Sequence, residues 1–211
     1  RYPERTGAMI DLLKSVDDLA RQKYDVLVPT MGALHAGHQS LIKLAKSKSD
    51  QVLVSIFVNP LQFENKDDLA NYPKSLERDL ELAKAAGATA VFAPSESVIY
   101  PGDIEKISAG PIGDLYEGEA RPGHFSGVLT VVKRLFDLVK PKAAVFGEKD
   151  FQQLFLIKQM VKQLELPIEI ISGPTIRDLD QVAISSRNVK LNESGRNASL
   201  VIPKVLKMAT V

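Results

Sequence analysis

Short apolar runs alternate along the chain with longer amphipathic segments of helical periodicity. The apolar runs predict strands over residues 26–28, 51–58, 89–93, 143–146 and 168–171. The amphipathic segments predict helices over residues 10–21, 37–48, 75–86, 125–139, 152–164 and 193–208. Strands that alternate with helices form right-handed βαβ units, and so we expect an α/β protein built on a parallel sheet.

The same pattern divides the chain into three parts. Residues 1–8 are polar and unpatterned, and we expect a tag or a disordered leader there. Residues 9–192 contain every predicted strand and should form one nucleotide- and substrate-binding domain. A chain of 211 residues is long enough for one large domain of this kind. Residues 193–211 should form a terminal helix that Pro203 kinks or splits, because proline cannot donate the helical hydrogen bond.

The composition excludes several kinds of functional site and binding partner. The chain has no cysteine, which excludes disulfides, zinc–thiolate sites and cysteine nucleophiles. Its formal net charge of +1 gives no drive toward nucleic acid or membrane surfaces. No apolar run approaches the roughly 20 residues of a membrane span. We therefore expect a cytoplasmic protein that binds neither nucleic acid nor membrane.

Two histidines, His35 and His38, lie where the first predicted strand gives way to a helix. Gly37 lies between them and lets a ligand approach the backbone. Free N–H groups at a helix N-terminus bind polyphosphates well, and an imidazole adds a hydrogen-bond donor when neutral or a charge when protonated. A metal site is the alternative, but the pair has no third ligand nearby in the sequence. The segment therefore favours a polyphosphate site and an enzyme.

Polar segments also follow three other predicted strands, at residues 59–63, 147–150 and 173–177. In an open parallel sheet, ligands bind beyond the carboxyl ends of the strands. We therefore expect these segments to meet the histidine pair in one crevice.

Further side chains suit a nucleotide and a small acid, although each set is also ordinary on a solvated loop. Lys149 can hold a phosphate and Asp150 a ribose, while two serines and an arginine at 185–187 can clamp phosphate oxygens. Neutral amides can bind a hydroxyl and a carboxylate without an opposing charge, and the candidates are Asn59, Gln62 and Gln153. The third histidine, His124, lies in another polar segment, so that no histidine is left without a candidate role.

Together these motifs resemble those of the pantoate–β-alanine ligase (pantothenate synthetase) family, within the nucleotidyltransferases that share His-x-Gly-His. The matching segments run in family order, and they are PTMGALHAGH (29–38), SIFVNPLQF (55–63), NYPKSLERDL (71–80), RPGHFSGVLTVV (121–132), FGEKDFQQL (146–154) and SSRN (185–188). The resemblance implies a Rossmann-like, doubly wound parallel sheet of the nucleotidyltransferase fold. It also implies a two-step reaction, in which ATP converts pantoate to pantoyl adenylate and β-alanine then displaces AMP.

The resemblance further implies roles for individual residues. The expected catalytic residues are His35, His38 (as proton donor), Lys149, Ser185, Ser186 and Arg187. The expected ATP-binding residues are Met31, Gly32, His35, Gly37, His38, Gly147, Lys149, Asp150, Ile176, Ile184, Ser185, Ser186 and Arg187. Pantoate and β-alanine would be bound by Gln62, Gln153, Asn59, Tyr72 and His124. Mg²⁺ would accompany ATP, with Asp79 as the candidate metal ligand, and two chains would form a homodimer.

Three features depart from the family pattern. Family members usually carry a further C-terminal lid domain, and this chain ends at Val211, about where that domain would begin, so we expect either a fragment or a variant without the lid. Arg78 stands where relatives often carry an acid. Gln181 and Ile184 stand where glycine and methionine or leucine are expected.

Two other functions are compatible with the same motifs. A different nucleotidyltransferase of this fold would act on a phosphorylated acceptor and yield a stable nucleotidyl product instead of AMP and an amide. A truncated binding module would hold ATP and pantoate but turn over poorly. Product analysis separates the first alternative, and steady-state turnover with all three substrates separates the second.

Overall fold

The structure is a computed structural model that describes residues 10–64, 66–73 and 75–209, without the side chain of Lys66. The predicted leader at residues 1–8 lies outside the described residues. Within them, six strands form one sheet: β1 Asp11–Leu13, β2 Val26–Thr30, β3 Val52–Ile56, β4 Ala90–Phe92, β5 Ala143–Gly147 and β6 Glu169–Gly173.

All neighbouring strands of the sheet are parallel, in the order β1-β4-β3-β2-β5-β6. From the central strand β2 the chain winds outward through β3 and β4, and then it continues on the other side of β2 through β5 and β6. The winding direction thus reverses between β2 and β5, which is where ligands bind in open parallel sheets. The predicted Rossmann-like parallel sheet is confirmed.

The structure has the helices predicted over residues 37–48, 75–86, 125–139 and 152–164, and it adds short helices at 66–70, 96–99 and 117–120 that the sequence pattern did not predict. Within the described ranges the helices are α1 Val16–Ala20, α2 Ala36–Lys46, α3 Lys66–Ala70, α4 Leu76–Ala86, α5 Glu96–Ile99, α6 Glu117–Ala120, α7 His124–Val139, α8 Phe151–Gln163, α9 Glu193–Ser199 and α10 Val201–Met208. The predicted end of α4 is also correct, because Gly87 takes a left-handed φ of 101° there and terminates the helix.

Two apolar layers cover the two faces of the sheet, so that the sheet is doubly wound. Strand β2 shows the division, since its alternate side chains point to opposite faces. Val26 and Val28 belong to the core layer formed with α2 and α4. Leu27 belongs to the layer formed with α7 and α8. Burial on both faces explains why the central strands read as nearly continuous apolar runs.

The helix predicted over residues 10–21 is wrong in its first half. Asp11–Leu13 form the edge strand β1, in which Leu12 pairs with Val91 of β4. Helix α1 begins only after Ser15, whose hydroxyl accepts from the Asp18 N–H at 3.1 Å while the Asp18 carboxylate accepts from the Ser15 N–H at 3.1 Å. This capping box is a strong local start signal, and it leaves the preceding leucines free to join the sheet.

Helices α9 and α10 replace the single helix predicted over residues 193–208, and they meet at Leu200. Pro203 has no N–H to donate to the carbonyl of Ser199, four residues earlier, and so the hydrogen-bond ladder stops where α9 ends. The predicted split is therefore confirmed. In the part of the chain that the structure describes, no helix combines the length and the apolar composition that a membrane crossing requires.

Candidate active site

A crevice of about 260 Å³ lies at the carboxyl ends of the strands, where the winding direction reverses. The segments after β2, β3, β5 and β6 all reach it, as the sequence predicts. The predicted site residues that line it are Met31, His35, Gly37, His38, Gln62, Tyr72, His124, Gly147, Lys149, Asp150, Gln153, Ile176, Ile184, Ser185, Ser186 and Arg187. Three others, Gly32, Asn59 and Asp79, are not part of the crevice lining.

The histidine pair is built into the N-terminus of α2. His35 is the N-cap residue, and its Nδ1 accepts a hydrogen bond from the Gly37 N–H at 3.1 Å. Nδ1 of His38 accepts one from the His35 N–H at 3.3 Å, and the ring centroids lie 4.0 Å apart. A Cβ at position 37 would come within 3.0 Å of the His35 ring, which explains the glycine between the histidines. Backbone donors of the helix terminus thus orient both imidazoles.

These hydrogen bonds decide which nitrogen of each ring carries the proton. Because a backbone N–H occupies each Nδ1, the single proton of a neutral ring lies on Nε2. Burial lowers the pKa of His38 to about 3, and His35 and Lys149 add to the effect. Burial, followed by Lys149, also lowers the pKa of His35. Near pH 7 both imidazoles are therefore neutral, and each has an Nε2–H group to donate.

Asp79 of α4 anchors the loop between β2 and α2. It is 2% exposed, and its carboxylate accepts from the Ala33 N–H at 2.9 Å and from the Leu34 N–H at 2.7 Å. Burial raises the pKa of Asp79, and the two backbone donors act in the opposite direction. The loop benefits from an anchor because Gly32 and Ala33 take positive φ values of 85° and 50°.

The structure gives Asp79 a different role from the predicted metal ligand. Both of its oxygens already accept backbone hydrogen bonds, and the residue lies behind the crevice wall. Among residues 10–64, 66–73 and 75–209, no three histidine or acidic side chains come together in a way that could hold an ion. The described crevice therefore has no built metal site.

Asn59 also supports the site from behind, in place of the predicted contact with substrate. It is 1% exposed, and its Oδ1 accepts from the Tyr100 hydroxyl at 2.7 Å. Its Nδ2 donates to Oε1 of Gln62 at 3.1 Å and to the carbonyl of Gly127 at 3.0 Å. Both ends of the Asn59 amide are thus engaged, whereas Gln62 lines the crevice.

His124 begins α7 and has both ring nitrogens engaged. Its Nδ1 donates to the carbonyl of Gln62 at 2.8 Å, and its Nε2 lies 3.3 Å from Nη1 of Arg121, which can only donate. Burial lowers the pKa of His124, in keeping with this neutral form. His124 thus supports Gln62 and Arg121 from the crevice wall, and its predicted contact with substrate stays a prediction.

Arg121 is a crevice residue that the sequence reasoning did not single out. Its guanidinium lies 3.4 Å from the Glu117 carboxylate and 3.4 Å from the Gln62 carbonyl, and both contacts are long. Because both contacts are long, the guanidinium can also bind an anionic ligand. In the sequence, the position of Arg121 near His124, in the segment RPGHF, could have indicated that it belongs to the site. The sequence predicted only an amphipathic helix over residues 125–139, and the structure adds that four of its apolar residues line the crevice: Val128, Val131, Val132 and Leu135.

Lys149 reaches the crevice from the short 3₁₀ turn that follows β5. Its Nζ lies 3.1 Å from Oδ1 of Asp150, and the two side chains are 39% and 61% exposed. An ion pair so accessible to water contributes little stability, which leaves the ammonium available to a ligand.

Adjacent glutamines at the start of α8 have opposite roles. The Gln152 amide donates to the carbonyls of Ile112 at 2.9 Å and Leu115 at 2.8 Å, and so it ties a distant loop to α8. Gln153 lines the crevice, and its side chain makes no hydrogen bond within the described ranges. Only Gln153 therefore has its amide free for a ligand.

Arg187 extends from the turn after Ser185 toward α3. Its Nη2 lies 2.9 Å from Oδ2 of Asp68, and its guanidinium lies 5.7 Å from the centre of the Tyr72 ring. The Ser185 hydroxyl stabilises the turn by accepting from the Arg187 N–H at 3.3 Å. Burial raises the pKa of Tyr72, which therefore stays a neutral phenol. Residues 185–187 therefore line the crevice in a position suited to clamping phosphate. The Arg187 guanidinium is paired there with the Asp68 carboxylate.

Comparisons with known proteins find relatives along nearly the whole chain. The sequence model of the pantoate–β-alanine ligase family matches residues 6–211. A pantothenate synthetase of Rhizobium etli is 49% identical over 208 residues, which are 97% of this chain and 70% of that protein. A pantothenate synthetase of Acidothermus cellulolyticus is 50% identical over 183 residues, which are 86% of this chain and 60% of that protein.

Two solved structures share the fold. The pantothenate synthetase of Thermus thermophilus superimposes with a TM-score of 0.88 at 43% identity, over 92% of this chain and 72% of that one. The pantoate–β-alanine ligase of Francisella tularensis, in a complex with β-γ ATP and β-alanine, gives 0.87 at 41% identity, over 94% of this chain and 79% of that one.

Proposed function

This chain belongs to the pantoate–β-alanine ligase family, and we propose that it condenses pantoate with β-alanine at the expense of ATP, through a pantoyl-adenylate intermediate. In the first step, a carboxylate oxygen of pantoate attacks the α-phosphorus. The bond from that phosphorus to the oxygen bridging the β-phosphate breaks, and pyrophosphate leaves. In the second step, the β-alanine nitrogen attacks the acyl carbon, AMP leaves with the bridging oxygen, and the nitrogen loses a proton to form the amide.

The observation that carries this proposal is the pair of neutral imidazoles at the N-terminus of α2. Transfer of a phosphorus group depends mainly on positioning and on stabilising charge as it develops. The Nε2–H groups of His35 and His38 are donors already fixed in place, and they require no reorganisation during the reaction. His38 acts in this proposal as a hydrogen-bond donor through its Nε2–H, and the role of proton donor that the family resemblance implies stays a prediction.

Cationic side chains at two edges of the crevice suit the polyphosphate. Lys149 brings an accessible ammonium from the end of β5, and Arg187 brings a guanidinium from the turn after Ser185. We assign both to the phosphates. Ser185 and Ser186 supply hydroxyl groups beside them, in the segment that begins at Ile184, and the backbone near Ile176 is assigned to the adenine end.

Pantoate is a branched hydroxy acid, and the opposite wall suits such a body. Gln62 and Gln153 present neutral amides, while Val128 and Val131 present apolar surface. Arg121 adds a cation to this wall, and we assign it to a substrate carboxylate. The amides can bind hydroxyl and carboxylate oxygens without adding charge.

Magnesium, assembly and location form part of the same proposal. Mg²⁺ would arrive as the ATP complex, held by phosphate oxygens, since the described residues offer no built metal site. Family membership supports a homodimer, which sedimentation velocity would test. The use of ATP supports a cytoplasmic location.

The direct test measures exchange and products separately. Without β-alanine, labelled pyrophosphate should exchange into ATP only when pantoate is present, which reports reversible adenylate formation. With β-alanine added, AMP and pantothenate should then form in equal amounts at saturating amine.

Two results would contradict the proposal. A stable adenylylated product that persists with β-alanine would identify a nucleotidyltransferase of a different kind. Binding of ATP and pantoate with neither exchange nor AMP release would identify a binding module.

A further inference from the structure

Gln62 lines the crevice, and its neighbours fix which end of its amide is engaged. Oδ1 of Asn59 accepts from the Leu61 N–H at 3.2 Å, and Nδ2 of Asn59 donates to the carbonyl of Gly127 at 3.0 Å. These two bonds set the Asn59 amide, whose Nδ2 also donates to Oε1 of Gln62 at 3.1 Å. The Gln62 oxygen is therefore engaged, and Nε2 is the end that remains for other partners.

The partner of that nitrogen is a sulfur atom. Nε2 of Gln62 lies 3.2 Å from Sδ of Met31, and both residues line the crevice. Thioether sulfur is a weak acceptor, and so a ligand oxygen can displace it from the amide. The position of Met31 is well defined, because Asp79 anchors the loop that follows it.

The methionines of the chain differ in their access to solvent. Met160 is 3% exposed within the core, Met208 is 76% exposed at the end of α10, and Met31 is partly exposed at the crevice. Met9 lies outside the described residues. The sequence has neither cysteine nor tryptophan, and so the accessible methionine sulfurs are the side-chain atoms that peroxide oxidises most readily.

We propose that Met31 is an oxidation site through which hydrogen peroxide weakens binding of the acid substrate. A lone pair of the sulfur attacks one peroxide oxygen, the O–O bond breaks and water leaves, so that the thioether loses two electrons and becomes a sulfoxide. Gln62 engages only one of the two sulfur lone pairs, which leaves the other for this attack. A methionine sulfoxide reductase with two thiols reverses the step: the oxygen leaves as water and the thiols form a disulfide.

The sulfoxide changes what Gln62 offers to a ligand. Its oxygen carries a partial negative charge and is a far stronger acceptor than the thioether sulfur. After a small rotation of the flexible Met31 side chain, that oxygen accepts from Nε2 of Gln62. A substrate carboxylate then meets an amide that is already paired and an oxygen that repels it. This loss of affinity rests on the proposed function, which supplies pantoate as the acid, whereas the oxidation itself does not.

Treatment with hydrogen peroxide, followed by peptide mapping in a mass spectrometer, locates each added oxygen atom. We expect oxygen on Met31 and on the exposed Met208, and none on Met160. Calorimetry should then show that the Kd for pantoate has risen roughly tenfold, which corresponds to the loss of one hydrogen bond to a charged ligand. Methionine sulfoxide reductase with dithiothreitol should restore the original Kd, which separates sulfoxide formation from general damage.

Single substitutions assign the effect to one sulfur. Met31→Leu removes that sulfur at similar volume, and peroxide should leave its Kd for pantoate within about twofold of the value for the same variant before treatment. Met208→Leu and Met9→Leu are the matched controls, and both should stay as sensitive to peroxide as the parent. In the parent, the resonances of the Gln62 Nε2 protons should move on oxidation, because their acceptor changes from sulfur to oxygen.

Each outcome decides the inference. It is overturned if Met31 gains no oxygen, if it gains oxygen without a change in the Kd for pantoate, or if Met31→Leu stays as sensitive as the parent. If the untreated chain does not bind pantoate, the proposed function fails, and the Gln62 resonances then decide: a shift supports the oxidation site, and unchanged resonances overturn it. Should Met31→Leu not fold, a loss of pantoate binding in the parent that follows oxidation of Met208 or Met9, in place of Met31, would overturn it.

Discussion

At the scale of single residues, backbone groups and burial decide what each polar side chain can do. The three histidines show this most clearly. Backbone N–H groups place the proton of His35 and His38 on Nε2, whereas a backbone carbonyl places that of His124 on Nδ1. The same residue type therefore supplies two free donors to the crevice and one internal brace.

Acid should destabilise the fold through His38. An unfolded histidine has a pKa of about 6.5, but the folded value is about 3. Between these values the unfolded state binds more protons, and so stability falls as the pH drops through that range. From pH 7 to pH 5 we expect His38 to account for a loss of about 2 kcal/mol. Urea unfolding at both pH values should show this loss in the parent and not in His38→Gln; identical pH slopes would contradict it.

Gln153→Ala should weaken pantoate far more than ATP. The Gln153 amide faces the crevice with no partner in the described ranges, and a ligand group that pairs with it loses about 1–3 kcal/mol when the amide is removed. Calorimetric titration of each ligand measures the difference. Gln163→Ala, at the exposed end of the same helix, is the control. Equal losses for both ligands would assign Gln153 a structural role.

At the scale of elements, helices not only cover the sheet but also hold the loops at its edge. Helix α4 reaches back through Asp79 to the loop before α2, and α8 reaches through Gln152 to the loop near Leu115. Such anchors stabilise loops in which a residue other than glycine takes a positive φ, as Ala33 and Tyr116 do, because that backbone conformation is unfavourable. The crevice is thus shaped by elements that do not line it.

Asp79→Asn should loosen the histidine loop. Asparagine keeps one acceptor oxygen, but its amide nitrogen would then face a backbone N–H. We expect the free energy of unfolding to fall by about 2–3 kcal/mol and ATP affinity to fall with it, since His35 follows the loop directly. Urea unfolding and ATP titration measure the two effects. Glu77→Gln, an exposed acid on the same helix, should leave both unchanged. Unaltered ATP binding in Asp79→Asn would show that the loop keeps its shape without the carboxylate.

At the scale of the whole molecule, the reversal of winding between β2 and β5 brings all the functional segments together. Residues more than a hundred positions apart in the chain, such as His38 and Arg187, line one crevice for this reason. Several of these side chains stay accessible to water, with Lys149 39% and Arg187 45% exposed.

An open crevice should reduce the coupling between ATP use and product. Acyl adenylates hydrolyse readily, and exclusion of water is what suppresses that side reaction. For the 211-residue chain we expect the ratio of pantothenate to AMP to lie below one at low β-alanine and to approach one as β-alanine rises, because amine then competes better with water. Quantifying both products across a β-alanine series checks this. A ratio of one at every concentration would show that water is already excluded.

The sequence by itself determined the α/β class, strands β2 to β6, the longer helices between them, and the segments that form the crevice. Apolar periodicity reports the burial of each segment, and that is a local property. The error at residues 10–21 shows the limit. Leu12 and Leu13 suit either an amphipathic helix or a strand, and pairing with β4, nearly eighty residues away, decides between them.

Only the tertiary structure decided which polar residues face a ligand. Asp79, Asn59 and His124 carry the residue types of a binding site, but partners distant in the chain engage their polar atoms. The adjacent Gln152 and Gln153 are indistinguishable in sequence, and the rotation of α8 sends one to a loop and the other to the crevice. Protonation states likewise depend on burial and on long-range hydrogen bonds. The residue type fixes what chemistry a side chain can perform. Whether its polar atoms can bind a ligand depends on the partners that the fold places against them.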